Sequence, residues 1–460
     1  MRRIAALLLA ALATTAAAPA PRSWQTTGDG KQRLRPAPVA RVPAGTAATI
    51  TVDPGRRYQT MVGFGASITD ASAILIRRLP PARRDALIAE LFGRANGGLG
   101  LDFTRLTIGA SDFSPTHYSF DDMPAGQRDD ALSRFSIAPN RADVLPTVQA
   151  ALRVNPRLLV MASPWSPPGW MKTGDAMIGG TLRDDAYDAY ARYFVRYLQA
   201  YSAEGVPIRY VTIQNEPDFS PDSYPGMKWA PAGRARFVGR HLGPALVQAG
   251  LPTRVLEWDH NWDQPQQPEA VLADAAASAY VEGVAWHCYG GEVTAQSRVR
   301  ERHPAKNVYF TECSGGGWRP GWKTGFGDMV RGLMIGATRH WARGVLLWNL
   351  ALDPSGGPHK GGCGNCRGVV TIDPAKGTVA RELEYYALGH LSRFVRPGAT
   401  RIEATFPAAL PAVAFRNADG GKVLLVYNDG ARDATVTVGE KAARFRFVLP
   451  PAGARTVVWR

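Results

Sequence analysis

Histidine and cysteine are scarce in this chain, at 8 and 4 of 460 residues, which narrows the metal chemistry open to it. Only His260 and His287 stand near the ends of apolar runs, and His287 reads as a hydrogen-bonding core residue rather than a ligand. The cysteines Cys288, Cys313, Cys363 and Cys366 lack the two close pairs of a four-cysteine zinc site. A redox Cys-x-x-Cys belongs at a helix start after a strand, whereas Cys363-Gly364-Asn365-Cys366 lies in a glycine-rich loop. Structural disulfides remain, and four cysteines allow three connectivities. Beyond the N-terminus no apolar run is long enough for a transmembrane helix, which argues against stable membrane insertion. No Gly-x-Gly-x-x-Gly turn follows an early strand, as a dinucleotide-binding doubly wound sheet would require. Internal repeats are absent, and the formal charge of +15 comes from Lys and Arg spread along the chain, with no basic tract suited to nucleic acid.

What is present is a globular composition, 45% hydrophobic and 20% charged. Met1-Arg2-Arg3, the apolar stretch Ile4 to Leu12 and the small residues up to Ala20 have the form of a signal peptide, which implies a secreted or periplasmic protein. Residues 21–45, rich in Pro, Arg, Thr and Gly, are expected to be a poorly ordered lead-in. A short strand within 46–54 is expected to join a later sandwich. From 55 to 390, apolar runs alternate with helical stretches. Eight strands are predicted, at Met61–Phe64, Phe103–Ile108, Leu158–Ala162, Tyr210–Gln214, Thr253–Trp258, Gly283–His287, Asn307–Thr311 and Gly344–Trp348. Helices are predicted at Pro81–Leu91, Ala186–Tyr201 and Ala232–Ala249. The fold class is therefore α/β, a TIM (β/α)8 barrel. From 391 to 460 short alternating runs with turns at Asn417–Gly421 and Asn428–Gly430 predict a C-terminal β-sandwich.

In such a barrel the reactive groups project from the C-terminal strand ends. Here those ends carry acids and flat aromatic rings, a combination suited to sugars. Glu216 follows the fourth strand in Gln214-Asn215-Glu216-Pro217-Asp218, and Glu312 closes the seventh. Two carboxylates so placed are what a retaining glycosidase needs, one to attack and one to protonate the leaving oxygen. Glu312 is the candidate nucleophile and Glu216 the candidate acid/base. Arg105 is a candidate to hold Glu312 ionised, Tyr289 to fix its geometry, and Asn215 to bond the sugar 2-hydroxyl.

The series Gly63-Phe64-Gly65-Ala66-Ser67-Ile68-Thr69-Asp70, Ser111-Asp112-Phe113-Ser114, Ser163-Pro164-Trp165, Trp170-Met171-Lys172-Thr173, Asn215-Glu216-Pro217 and Trp348-Asn349-Leu350-Ala351-Leu352 resembles glycoside hydrolase family 30. The resemblance runs from about residue 55 to the C-terminus. It implies a barrel fused to a sandwich, retention of configuration, no cofactor, and the same two glutamates. It also implies that Asp112, Trp165, Asn215, Tyr289 and Trp348 line a glucosyl subsite. Trp286-His287-Cys288-Tyr289, the segment around Glu312-Cys313 and the Cys363–Cys366 loop are similar to microbial members that include endo-β-1,6-glucanases. A Cys288–Cys313 bridge would then join neighbouring strand ends and brace Glu312. The expectation is an exported retaining β-glucoside hydrolase, glucosylceramidase-like, cleaving β-glucosyl linkages in a glycolipid or a β-glucan. The alternatives are an endo-β-1,6-glucanase acting on β-glucan, and a non-catalytic carbohydrate-binding protein, for which both acids would be superfluous.

Overall fold

The computed structural model describes residues 20–460, so the leader expected at Met1–Ala20 lies outside the described residues apart from Ala20. Eight parallel strands close into a barrel. They are Gly63–Ser67 (β1), Phe103–Thr107 (β2), Leu159–Ser163 (β3), Ile208–Thr212 (β4), Arg254–Asn261 (β5), Val281–His287 (β6), Asn307–Glu312 (β7) and Ala342–Asn349 (β8). They follow one another in chain order around the barrel, and β8 pairs with β1. Phe103, Met161, Tyr210, Leu256, Ala285, Tyr309 and Leu346 fill the lower barrel with side chains, so the lumen is a packed core open to chemistry only at its top. The outer helices bury one face each. On Tyr187–Ala203, for example, Tyr190, Tyr193, Tyr197 and Tyr201 recur at three- and four-residue spacing and are fully buried.

Three boundaries depart from expectation for identifiable reasons. The first strand starts later than Met61, because the Met61 and Val62 amides donate to Ala399 and Arg343 carbonyls at 2.7 Å and tie the chain to the domain junction. The fifth runs on past Trp258 to Asn261, because Trp258 (φ 78°) and Asp259 (φ 53°) form a bulge against β6. The helix expected at Ala232–Ala249 spans Pro231 to Gln248 but carries a wider π-turn at Val238–Leu242. Gly239 there packs directly on the neighbouring helix Ala275–Tyr280, where an added Cβ would stand 2.7 Å from the Ala277 amide.

The second domain draws on both ends of the chain. Its ten-stranded sheet runs, by spatial order, through 35–37, 22–26, 454–459, 422–427, 412–416, 400–405, 50–60, 434–440, 443–449 and 40–41. The expectation of a poorly ordered 21–45 is thus corrected. Arg22–Thr26 pairs with Ala454–Trp459 over five residues, and Ala40–Arg41 extends the other edge. Composition misled here because the prolines are placed where a strand tolerates them: Pro36 is on the edge strand Arg35–Ala37, and Pro21, Pro38 and Pro43 lie outside the strands. The early strand is Ile50–Thr60, longer than the 46–54 segment suggested. Ile50, Val52, Ile402, Leu424, Val436, Phe445, Val457 and Trp459 form the sandwich core. His390, on the helix Leu383–Ser392, bridges Thr456 (2.8 Å) and Thr26 (2.9 Å) and so fastens both chain ends to the barrel.

Candidate active site

Strand ends around the top of the barrel deliver polar groups inward, and Arg105 on β2 gathers those from β3, β4, β5 and β7. Its fully buried guanidinium donates to Glu312 (2.5 Å), Asp259 (2.7 Å) and Asn215 (2.7 Å), and its Nε to Ser163 (3.1 Å). The same cation lies 4.9 Å from the Trp165 ring centroid and 5.4 Å from that of Trp348. Those two indoles stack with centroids 4.9 Å apart.

Glu312 ends β7, and Tyr289 donates its phenol O–H to it at 2.9 Å. The Tyr289 ring is exposed at the rim while its hydroxyl turns inward. Glu216 follows β4 in the left-handed conformation, at φ 49°, which costs a non-glycine residue about 1–3 kcal/mol. Its amide donates to the Asp259 carbonyl at 3.0 Å, and this turn swings its carboxyl over the barrel mouth. His287 stands between the acids. Its Nδ1 lies 3.0 Å from Glu216 and 3.9 Å from Glu312, and its Nε2 3.0 Å from Asp259. One ligand atom from each of Glu216, His287 and Glu312 falls within 4.8 Å of the others. That trio has the make-up of a cation site, but both His287 nitrogens are already engaged by carboxylates.

Burial opposes a charge on His287, yet the Glu312, Asp259 and Glu216 carboxylates outweigh it and raise its pKa to about 9. Burial likewise opposes ionisation of Asp259, but Arg105, His287 and Thr212 hold it far below the ordinary carboxylate range. At Glu216 burial is overcome by the His287 hydrogen bond, and the pKa falls. At Glu312 burial wins, with the nearby Glu216 charge, over His287 and Arg105, and the pKa rises. Arg105 does contact Glu312 as expected, but that contact alone does not hold the carboxyl below its usual value. Asp112 is raised well above the carboxylate range by burial and by the Glu312 and Glu216 charges, and its Oδ1 has no protein partner.

Asp112, Trp165, Asn215, Glu216, Tyr289, Glu312 and Trp348 all line one cavity of about 280 Å³. The structure thus brings together every substrate-facing residue named from the sequence, with Arg105 and His287 directly beneath. Cys288 and Cys313 are bridged at the ends of β6 and β7, and Cys363 is bridged to Cys366 in the loop that forms the cavity's far wall. Sequence reasoning missed the role of Asp259. It accepts hydrogen bonds from Ser163, Thr212, Thr311 and Arg105 and contacts His287, and so fixes the whole floor of the site. It also missed Tyr224 and Trp318 in the cavity wall. Each sits alone in an irregular loop, where no periodicity marks it. Glu257, two residues before Asp259, instead pairs with Arg234 outside the barrel at 2.8 Å.

Residues 61–395 match the glycosyl hydrolase family 30 TIM-barrel domain, and residues 398–457 match the glycosyl hydrolase family 30 beta sandwich domain. The chain is 36% identical to an endo-1,6-beta-D-glucanase of Neurospora crassa, across 95% of this chain and 97% of the relative. It is 30% identical to the lysosomal acid glucosylceramidase of Mus musculus, across 90% and 84% respectively. A solved endo-beta1,6-glucanase superposes with a TM-score of 0.89 at 33% identity, covering 95% of this chain and 98% of that one.

Proposed function

The chain belongs to glycoside hydrolase family 30, and from that premise we propose that it is an exported enzyme cleaving β-1,6-linked glucan with retention of configuration. The observation that carries the mechanism is the closeness of two carboxylates on one cavity, with Glu216 and Glu312 oxygens within 4.8 Å of each other. Retention uses carboxyl groups about 5–5.5 Å apart, whereas inversion needs about 6.5–9.5 Å to seat a water.

Glu312 attacks the anomeric carbon while Glu216 gives its proton to the departing glycosidic oxygen. The bond from carbon to the leaving oxygen breaks as the bond to the Glu312 carboxylate forms. Water then enters, Glu216 takes its proton, and the ester is hydrolysed to the β-configured product. His287 Nδ1 faces Glu216 at 3.0 Å and orients the acid/base carboxyl from beneath. Tyr289 and Arg105 hold the attacking carboxylate in line. The Asn215 Oδ1 accepts from Arg105, which leaves its amide N–H groups for the sugar 2-hydroxyl. Asp112 offers its unpartnered Oδ1 to another hydroxyl, and Trp165 and Trp348 take the apolar sugar face.

Three β-1,6-glucanase relatives at 34–36% identity favour glucan over glycolipid. Glucosylceramide cleavage is the second reading, favoured by the mouse relative. Export is supported by the two disulfides, which belong to oxidising compartments, and by the leader-like start. The test is parallel incubation with glucosylceramide, gentio-oligosaccharides and pustulan, resolving product sizes and following the anomer by NMR. β-1,6-linked products, glucose or short oligosaccharides, released first as β-anomers are expected. Release of glucose from glucosylceramide alone would overturn the substrate, and an initial α-anomer would overturn the mechanism.

A further inference from the structure

The catalytic cavity continues past its aromatic rim. Tyr289, Ser314 and Trp318 line it, and the same three residues line a second cavity of about 420 Å³. That volume lies in the range of roughly 300–1,000 Å³ usual for small-molecule sites. The Cys288–Cys313 disulfide and the side chains of Met329 and Leu333 make apolar wall, and Glu292 and Arg319 supply polar groups. The charges at its outer edge are compensated in place. Asp328 lies 3.2 Å from Arg319 and 3.4 Å from Arg331, and Arg331 also reaches Asp429 at 3.0 Å. With Arg319, Asp328 and Arg331 paired among themselves and with Asp429, and Glu292 left to accept hydrogen bonds, the cavity suits a polyhydroxylated occupant rather than an anionic one.

Trp318 stands at the threshold with 49% of its surface exposed. It does not hang from a loose loop. Its indole lies on Gly316, where an added Cβ would fall 2.0 Å from the ring. Gly315 and Gly316 pair with Arg367 and Cys366, and Arg367 donates to the Gly316 carbonyl at 2.7 Å. A large flat ring held open to solvent among hydrogen-bonding groups is a surface on which a sugar face stacks.

The end of the catalytic cavity lined by Asp112, Trp165 and Trp348 is buried, so a chain extends from the other end, toward Trp318. We infer that the second cavity binds the leaving-side glucosyl units of a β-1,6-linked chain, with Trp318 as the stacking platform at its entrance. This rests on the glucan-hydrolase reading above and adds where the rest of the chain lies.

Gly332 allows a test that leaves the carboxylates untouched. It lines the second cavity from the helix Met329–Ala337, and the space where its Cβ would stand is open. Gly332→Phe fills the cavity, and Gly332→Ala is the control, since alanine favours helix. Both are compared with the parent on a β-1,6-linked glucohexaose and on an aryl β-glucoside. Gly332→Phe is expected to lower kcat/KM on the hexaose about ten-fold while leaving the aryl glucoside within about two-fold. Trp318→Ala is expected to flatten the rise of kcat/KM with chain length from the disaccharide to the hexaose. Equal effects of Gly332→Phe on both substrates, with Trp318→Ala preserving the chain-length dependence, overturn the inference. So does a hexaose rate unchanged in both variants. If the parent fails on every β-1,6 oligosaccharide but turns over the aryl glucoside, the glucan reading itself fails first.

Discussion

Replacing His287 by glutamine removes the group whose hold on its proton the surrounding carboxylates strengthen most plainly. An imidazole in an unfolded chain titrates near about 6.5, and in the folded site the value is about 9. The folded state binds the proton more tightly, so the stabilisation is complete below about pH 6.5 and is lost as pH rises through about 9. At about 1.4 kcal/mol per pH unit, the interval is worth about 3 kcal/mol. Lys172 titrates over the same range with opposite effect. Burial lowers it to about 7, so its penalty on folding fades as pH rises from there toward its unfolded value. Because Lys172 is common to both proteins, the difference between parent and His287→Gln isolates the imidazole. Denaturant unfolding of the two at about pH 6 and about pH 9.5 should give a stability gap that shrinks by about 3 kcal/mol at the higher pH. A gap that holds constant or widens would refute a charged His287.

Glu312→Gln is expected to lower turnover of activated aryl glucosides and natural substrate alike, by about 10⁴-fold or more, as loss of a nucleophile does. Substantial residual rate on the aryl glucoside in steady-state assays would count against the assignment. Glu216→Ala should slow poor leaving groups most and recover with added azide as the β-glycosyl azide, and an α-azide by NMR would sink the proposed role. Replacing Cys288 and Cys313 together by alanine opens a loop with a sequence separation of 25. Chain-entropy reasoning puts the loss near about 3 kcal/mol, read as a lower unfolding midpoint, and an unchanged midpoint would contradict a bracing role for the bridge.

The barrel was legible because its strands are buried on both faces and read as unbroken apolar runs, as at Val345-Leu346-Leu347 on β8. The two glutamates were legible because each closes such a run. Asp259 was not, although it sits at a strand end too. Its inward turn depends on a two-residue left-handed bulge at Trp258 and Asp259, and nothing in the composition there announces it. Trp318 was equally silent, because its exposure is created by Gly316 and by pairing with the distant Cys366–Arg367 segment. The strands at 22–26 and 40–41 escaped notice because each has a partner more than four hundred residues away. Local pattern carries no trace of a pairing closed at that range. Net pKa directions at Glu216 and Glu312 were beyond reach for a related reason, since they reflect burial against several charges drawn from different strands.

The pairing of Arg22–Thr26 with Ala454–Trp459 sets an order on biosynthesis. The early strand must wait, unpaired on this edge, until the late one has been made, so the second domain cannot close while the chain is still being extended. Trimming the last few residues would strip Arg22–Thr26 of its partner on that side and leave it paired only with Arg35–Ala37, so a loss at one end of the sheet would loosen the other.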